Sequence, residues 1–153
     1  MRVPFTKMHG LGNDFVVVRA GNASVPDAAR IRALADRKTG IGFDQLLWLE
    51  RPRLPGAAVY YRIFNTDGSE AEQCGNGARC IARLVGGGTG ESLLLQHPGG
   101  TSRARIERNG QASVEIAVPQ FEPARIPFVA DHEAPSYELE AAGRTVEVRV
   151  VSL

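Results

Sequence analysis

Short apolar or alternating segments, each bounded by turn residues, recur along the chain and predict a fold dominated by β-strands. The predicted strands span residues 5–8, 14–19, 45–50, 58–64 and 92–96. Residues 102–107 and 112–118 predict a hairpin. The Asn109-Gly110 pair between them readily takes the positive φ angles of a tight two-residue turn.

Two segments have the spacing of amphipathic helices. The first spans residues 26–38, where Ser24 can cap the helix, Pro26 suits its first turn and Gly40 ends it. The second spans residues 75–85 and ends at a run of glycines. The spacing predicts apolar faces made of Ile31, Leu34 and Ala35 in the first helix, and of Ala78, Ile81, Ala82 and Val85 in the second.

The character of the sequence changes after Val118, because four prolines occur between residues 119 and 135. Such a segment favours a linker over a strand or a helix. We therefore predict a first domain at residues 1–118, followed at 119–153 by an interdomain linker and the beginning of a second, truncated domain. Alternation at 137–140 and 144–151 predicts one more hairpin, and the chain ends without a terminating signal.

Composition and charge narrow the class of partner. A chain of 153 residues with 43% hydrophobic content can bury a core of its own. Eighteen basic and seventeen acidic side chains leave a net charge of +1 without long runs, which argues against nucleic acid or an anionic membrane and favours a small molecule. The N-terminus lacks the apolar stretch of a secretory signal, so we expect a cytoplasmic protein.

The candidate chemistry lies at the beginning of the second predicted helix, where Cys74 precedes Gly75, Asn76 and Gly77. The first N–H groups of a helix have no intrahelical acceptor and lie at the positive end of its dipole, so they can bind a carboxylate and stabilise a thiolate. One turn could thus bind the α-carboxylate of an amino acid and place a basic sulfur beside its α-carbon. The alternative is a buried structural cysteine. Cys80 is assigned no chemistry, and a disulfide between the two cysteines is geometrically awkward.

Other polar segments match no familiar site. Residues 65–70 have the composition of a turn at the end of a predicted strand. Residues 10–15 and 86–90 are rich in glycine but lack the spacing of dinucleotide- and phosphate-binding loops. The three histidines lack metal-ligand spacing, so no metal site is predicted. A nucleophilic cysteine paired with a histidine stays open, because such partners are adjacent only in space.

Four ordered segments together resemble the diaminopimelate epimerase family. They comprise residues 5–15 (FTKMHGLGNDF), 40–47 (GIGFDQLL), 62–70 (RIFNTDGSE) and 72–80 (EQCGNGARC). Phe43 departs from the pattern, because alanine is the more usual residue there. The proline-rich stretch from Pro119 to Phe128 also looks like the interdomain segment of this family, so the resemblance extends over essentially the whole chain.

The resemblance implies an α/β (α+β) fold in which a curled mixed β-sheet wraps around a central helix, as the first of two similar domains with the active site between them. It implies that Cys74 is one of two acid–base thiols that interconvert L,L- and meso-diaminopimelate, a reaction of lysine and peptidoglycan-precursor biosynthesis, without pyridoxal phosphate or any other cofactor. It assigns the α-carboxylate to Gly75 and Asn76. The other residues that line the substrate site by this resemblance are Asn13, Gln45 and Asn65.

The second thiol of the family is absent from this chain, so we expect the chain alone to bind substrate weakly and not to epimerise it. The family's last strand, which completes the first domain, is missing too. The sheet edge it leaves can pair with another copy, and we expect a homodimer. Two alternatives stay open: an isomerase of the proline racemase or phenazine-synthesis type, and a non-catalytic domain that binds or assembles.

Overall fold

The computed structural model describes residues 2–152, which form two compact units that divide between Glu115 and Ile116. The first unit contains two helices and eight strands. In chain order they are β1 (Phe5–Gly10), β2 (Asn13–Arg19), α1 (Ala28–Ala35), β3 (Gln45–Glu50), β4 (Ala57–Asn65), β5 (Glu70–Ala71), α2 (Gly75–Val85), β6 (Ser92–His97), β7 (Gly100–Ile106) and β8 (Ala112–Val114).

All eight strands belong to one mixed sheet, in the order β1-β2-β3-β4-β6-β7-β8, with β5 paired to β4. Two neighbouring pairs, β2–β3 and β4–β6, are parallel, and a helix lies in the connection of each, as parallel pairing requires a crossover. Helix α2 contacts β1 as well as β7 and β8 at the other end of the sheet. The sheet therefore curls around α2, which confirms the predicted fold.

The sheet has a hydrophobic layer on each face. Phe15 and Leu47 belong to the layer on the α2 side, and Val16 and Trp48 to the layer on the α1 side. Strand β3 is thus buried on both faces, which explains why its sequence is a continuous apolar run rather than an alternation. Phe43, where we expected alanine, is only 1% exposed and lies in the α1 layer, so this departure changes packing on the face away from α2.

The predicted bounds of α2 are confirmed, whereas those of α1 are too wide. Helix α1 begins at Ala28 because Asp27, rather than Ser24, is its cap: Asp27 Oδ1 accepts the N–H of Arg30 at 2.7 Å. It ends at Ala35 because the Asp36 carboxylate accepts the N–H groups of residues 38 and 39, at 2.8 and 2.7 Å. This local turn competes with a further helical turn.

The predicted hairpin of β7 and β8 is confirmed, but the prediction of a two-residue turn between them is wrong. Of the Asn109-Gly110 pair, Gly110 alone has a positive φ angle, of 82°. The Asn109 side chain instead accepts the N–H of Gln111 at 3.0 Å. Glu107 accepts the N–H of Gly110 and donates its own N–H to Gln111, both at 2.8 Å. The connection is a three-residue loop with a glycine bulge. Strand β8 also ends at Val114, earlier than predicted.

The second unit contains the strands β9 (Tyr137–Ala141) and β10 (Arg144–Val148), which pair as an antiparallel hairpin. Their turn consists of Ala142 and Gly143, both with positive φ, and the predicted hairpin is confirmed. A short 3₁₀ turn at Pro123–Arg125 lies in the proline-rich segment that precedes it. Within residues 2–152, no helix has the length and apolar character that a membrane span requires.

Candidate active site

Three side-chain amides lie at the same end of three neighbouring strands: Asn13 begins β2, Gln45 begins β3 and Asn65 ends β4. Strands β2 and β3 are parallel, β4 is antiparallel to β3, and Gln45 is directly opposite Asn65. Side chains two residues apart share one face of a strand, so these amides lie on the α2 face with Phe15 and Leu47. The three amides therefore share both an end and a face of the sheet.

Cys74 is the residue that caps the N-terminus of α2. Its Sγ accepts the N–H of Gly77 at 3.4 Å, and its carbonyl accepts the N–H of Ala78 at 2.8 Å. The thiol is partly exposed. The backbone N–H groups of Gly75 and Asn76 lie in the first turn, before the first N–H that can donate to a carbonyl of the helix. They therefore have no intrahelical acceptor. The turn thus presents two N–H donors to a ligand beside a sulfur atom.

The two glycines of this turn meet different surroundings. A Cβ atom on Gly75 would have no atom within 4 Å, so packing does not require glycine there and the space above its backbone is open to a ligand. A Cβ atom on Gly77 would lie 3.1 Å from Cδ2 of Leu47, whose side chain is fully buried. Gly77 therefore allows α2 to lie close to β3.

We expect Gly77→Ala to lower the free energy of unfolding by about 1–3 kcal/mol, because the added methyl group overpacks a rigid contact. Gly75→Ala, two residues away, is the matched control. It should leave stability unchanged or raise it by up to about 1 kcal/mol, because alanine favours a helix. Urea unfolding followed by circular dichroism measures both variants, and equal losses would contradict the assignment.

Asn13 lies next to the thiol of Cys74. The distance from Cys74 Sγ to Asn13 Oδ1 is 3.9 Å, a weak hydrogen bond in which the thiol donates. The sulfur thus has an acceptor for its proton in Asn13 and an N–H donor in Gly77. Because a thiol is both a weak donor and a weak acceptor, each protonation state of Cys74 has a partner.

Gln45 and Asn65 form a second polar group. Gln45 Nε2 donates to Asn65 Oδ1 at 3.0 Å, and Asn65 Nδ2 donates to Ser69 Oγ at 3.1 Å. Gln45 Oε1 is buried and has no hydrogen-bond partner among residues 2–152. A buried acceptor without a partner costs about 1–3 kcal/mol. This oxygen is therefore suited to accept an N–H from a ligand.

The hydrogen bonds join the predicted site residues in two groups, Cys74 with Asn13 and Gln45 with Asn65. Asn76 contributes its backbone N–H to the site, because its side-chain Oδ1 already accepts a hydrogen bond from Arg79 Nη1 at 2.9 Å. No cluster of three or more His, Cys, Asp or Glu side chains that could hold a metal ion occurs in the described part of the chain.

Two other ionisable groups near Cys74 are held in their neutral forms. Burial raises the pKa of the Cys80 thiol, and the charge of Cys74 adds to the effect. Burial likewise raises the pKa of Tyr61 to about 12, with a further contribution from Cys74. Neither group can exchange a proton readily at neutral pH. This agrees with the absence of an assigned role for Cys80.

The sequence did not indicate two residues that lie beside the predicted site residues. Asp44, at the end of the loop before β3, accepts a hydrogen bond from the Asn13 side chain at 3.1 Å. Gly10, at the end of β1, lies against α2: a Cβ atom there would be in ordinary van der Waals contact with the Asn76 carbonyl oxygen, at 3.4 Å. Both lie inside the segments that carry the family resemblance, but their partners are distant in sequence.

The ion pairs beside Asn13 predict a pH dependence of stability. The Arg37 guanidinium beside Asp14 holds the pKa of that carboxyl well below its usual range, and Lys7 and Asp44 add to the effect. A carboxyl with a lower pKa in the folded chain stabilises the fold above its unfolded value of about 3.9, and this contribution is lost as the pH falls below it. Urea unfolding should therefore show a steeper loss of stability between about pH 4 and pH 2 in this chain than in Asp14→Asn. Equal slopes would show that the pairing contributes nothing.

Solved structures with a similar fold include racemases and epimerases. A probable proline racemase from Agrobacterium radiobacter, solved with bound carbonate, superimposes with a TM-score of 0.68 and 14% identity, over 98% of this chain and 49% of that one. A hydroxyproline epimerase from Agrobacterium vitis, solved with bound trans-4-hydroxy-L-proline, gives a TM-score of 0.64 and 14% identity, over 96% and 47% of the two chains. The fold is thus one shared with racemases and epimerases.

Sequence comparison identifies the family within this class. The family model for diaminopimelate epimerase matches residues 5–122. The diaminopimelate epimerase of Nitrosomonas eutropha is 51% identical over 160 residues, and that of Pseudomonas aeruginosa is 48% identical over 158 residues. Each match covers 100% of this chain and 57% of the relative. The chain belongs to the diaminopimelate epimerase family and spans little more than half the length of these relatives.

Proposed function

We propose that this chain supplies one acid–base thiol and much of the amino-acid binding site of an enzyme that interconverts L,L- and meso-diaminopimelate. The observation that carries the proposal is the N-terminus of α2, where the partly exposed Cys74 thiol adjoins the N–H groups of Gly75 and Asn76. Membership of the diaminopimelate epimerase family supports the choice of substrate.

In the proposed reaction the N–H groups of Gly75 and Asn76 bind the α-carboxylate, so that the α-carbon lies beside Cys74 Sγ. The thiolate removes the α-proton, and the electron pair left on carbon delocalises into the carboxylate. The same N–H donors stabilise the charge that develops there, and the Gly77 N–H stabilises the thiolate before transfer. A positioned acid–base group of this kind contributes about 10²–10⁴-fold to the rate.

The second polar group suits the distal end of the substrate. Diaminopimelate carries an ammonium and a carboxylate at each end, and the unpartnered oxygen of Gln45 can accept an N–H from the ammonium that does not react. Asn65 holds the Gln45 amide in the orientation that leaves this buried oxygen free to accept. A substrate without a distal ammonium would leave that acceptor unsatisfied, which favours diaminopimelate over proline.

Inversion also requires a group that returns a proton on the opposite face of the α-carbon. The sequence contains one other cysteine, Cys80, which is buried and has a raised pKa. We therefore expect the 153-residue chain to bind substrate weakly and not to epimerise it. The proposed removal of the α-proton uses only a thiol and N–H donors from this chain, so it needs no cofactor.

The proposal is tested by following L,L-diaminopimelate in deuterated buffer, with NMR for α-proton exchange and chiral chromatography for inversion. Two proteins are compared: this chain, and this chain joined to the C-terminal part of the Nitrosomonas eutropha relative beyond the match, here called the extended protein. We expect inversion only in the extended protein, with L-proline unchanged. Rapid inversion by this chain alone would contradict the need for a second group, and preference for proline would contradict the substrate.

Selective alkylation tests the thiol without turnover. We expect iodoacetamide to modify Cys74 at neutral pH at least about tenfold faster than Cys80, because reactivity requires access and thiolate character. Cys74 is partly exposed, whereas Cys80 is 4% exposed and has a raised pKa. Peptide mass spectrometry measures both rates in one sample. Equally slow modification would favour a purely structural cysteine.

A further inference from the structure

The side chain of Asn13 is hydrogen-bonded to Asp44 at the end of its amide that faces away from Cys74. Asn13 Nδ2 donates to Asp44 Oδ2 at 3.1 Å, and the backbone N–H of Asp14 donates to the same oxygen at 2.9 Å. The backbone N–H of Asp44 in turn donates to the carbonyl of Asp14 at 2.9 Å. Three hydrogen bonds thus tie the beginning of β2 to the loop before β3, beside the thiol.

Asp44 is itself fixed by charge. Arg37 Nη2 donates to Asp44 Oδ1 at 2.8 Å and to Asp14 Oδ1 at 2.6 Å, and Lys7 also pairs with Asp14. Both side chains of the Arg37–Asp44 pair are well exposed, so this pair contributes little to stability on its own. The pair with Arg37 nevertheless holds the Asp44 carboxylate in place, with its other oxygen directed at Asn13.

The carboxylate of Asp44 determines which way the Asn13 amide faces. The two ends of an amide have nearly the same shape, but one only donates hydrogen bonds and the other only accepts them. Because a carboxylate only accepts, the NH₂ end of Asn13 must face Asp44. The oxygen of Asn13 then faces Cys74, where it can accept the S–H proton. The opposite orientation would offer the sulfur only donors.

We propose that Asp44 is a positioning residue that gives the protonated Cys74 thiol its acceptor by fixing the orientation of Asn13. A thiol that takes up and releases a proton in each cycle needs a partner in both forms. Gly77 provides the donor for the thiolate, and Asn13, oriented by Asp44, provides the acceptor for the thiol. The catalytic consequence rests on the proposed function, whereas the orientation of Asn13 does not.

The test is the S–H stretching band of Cys74, recorded by Raman spectroscopy on the 153-residue chain carrying Cys80→Ala, so that one thiol contributes. We expect Asp44→Ala to move the band to higher frequency, toward that of a thiol without an acceptor. Asn13→Ala should give the same shift, and the double variant no further shift, because both changes remove one interaction. Asp36→Ala is the matched control, because this carboxylate precedes the same loop and bonds to residues 38 and 39 instead. It should leave the band unchanged.

Asp44→Asn keeps the test valid if Asp44→Ala does not fold. An asparagine at this position can both donate and accept, so Asn13 can take either orientation and the band should broaden or split. An unchanged band in a folded Asp44 variant would overturn the proposal. So would an equal shift in Asp36→Ala, since the cause would then be general loosening of the loop.

Activity of the extended protein separates this inference from the proposed function. There we expect Asp44→Asn to lower kcat by about three- to tenfold, the effect of losing one neutral hydrogen bond, with little change in KM. A purely structural role would lower the amount of folded enzyme and leave kcat per folded site unchanged. If the band shifts as expected while the unsubstituted extended protein shows no inversion, the proposed function fails and the positioning role stands.

Discussion

Cys74→Ala in the extended protein is expected to lower α-proton exchange of diaminopimelate by about 10²–10⁴-fold, the usual contribution of a positioned acid–base group. Among residues 2–152, the Cys74 thiol alone is both partly exposed and adjacent to helix N–H groups without an intrahelical acceptor. Removing it should leave those N–H donors in place, so substrate affinity should change little. A fall in kcat without a rise in KM would identify a group that acts in the transition state.

Cys80→Ala is the control for this substitution. Cys80 is buried in the α2 layer, so its replacement removes one sulfur atom from the core without touching the N-terminal turn. Exchange should stay within a fewfold of the unsubstituted rate after correction for folded protein. If Cys80→Ala lost as much activity as Cys74→Ala, the assignment of the acid–base thiol to Cys74 would be wrong.

Gly75→Ala is expected to weaken substrate binding by about 10- to 150-fold, because a hydrogen bond to a charged group contributes about 1.5–3 kcal/mol. The added Cβ atom would meet no protein atom within 4 Å and would instead enter the space where we place the α-carboxylate. Isothermal titration of the Cys74→Ala extended protein with diaminopimelate measures the effect without turnover.

Because Gly75→Ala is expected to stay folded, its effect on substrate affinity can be interpreted directly. Because alanine is the better helix former, the variant should be at least as stable as the parent, and lost binding cannot be attributed to unfolding. Gly77→Ala provides the reverse case, in which stability falls through contact with Leu47. Unchanged affinity in Gly75→Ala would show that the substrate carboxylate binds elsewhere.

Much of the fold could be predicted from local patterns. The bounds of α2 follow from its apolar spacing, from the cysteine and glycines at its beginning and from Gly86 at its end. Strand β3 matches its predicted bounds because it is apolar from end to end. The errors arose where side chains compete with the backbone: Asp27 and Asp36 set the ends of α1, and Asn109 changed the turn before β8.

The candidate site was predictable only in part, for a physical reason. A cysteine at the beginning of a helix is a local feature, so Cys74 could be selected from the chain itself. Asn13 and Asn65 lie in segments with the composition of ordinary turns, and Gln45 begins a predicted strand. Only the family resemblance indicated all three. Asp44 was not indicated at all, because its contact with Asn13 joins residues that only the parallel pairing of β2 and β3 brings together.

That parallel pairing also bears on the order in which the chain folds. The β1–β2 hairpin and the β3–β4 pair join residues close in sequence, so Asn13 and the Gln45–Asn65 pair can each form part of a locally folded element. Bringing the two elements side by side requires closure of the whole connection from Ala20 to Asp44. Contacts with such separation form slowly because chain entropy must be lost first. In a nascent chain, Asn13 and the Gln45–Asn65 pair would therefore each take up their local structure first. The three amides would come together as a binding site only afterwards.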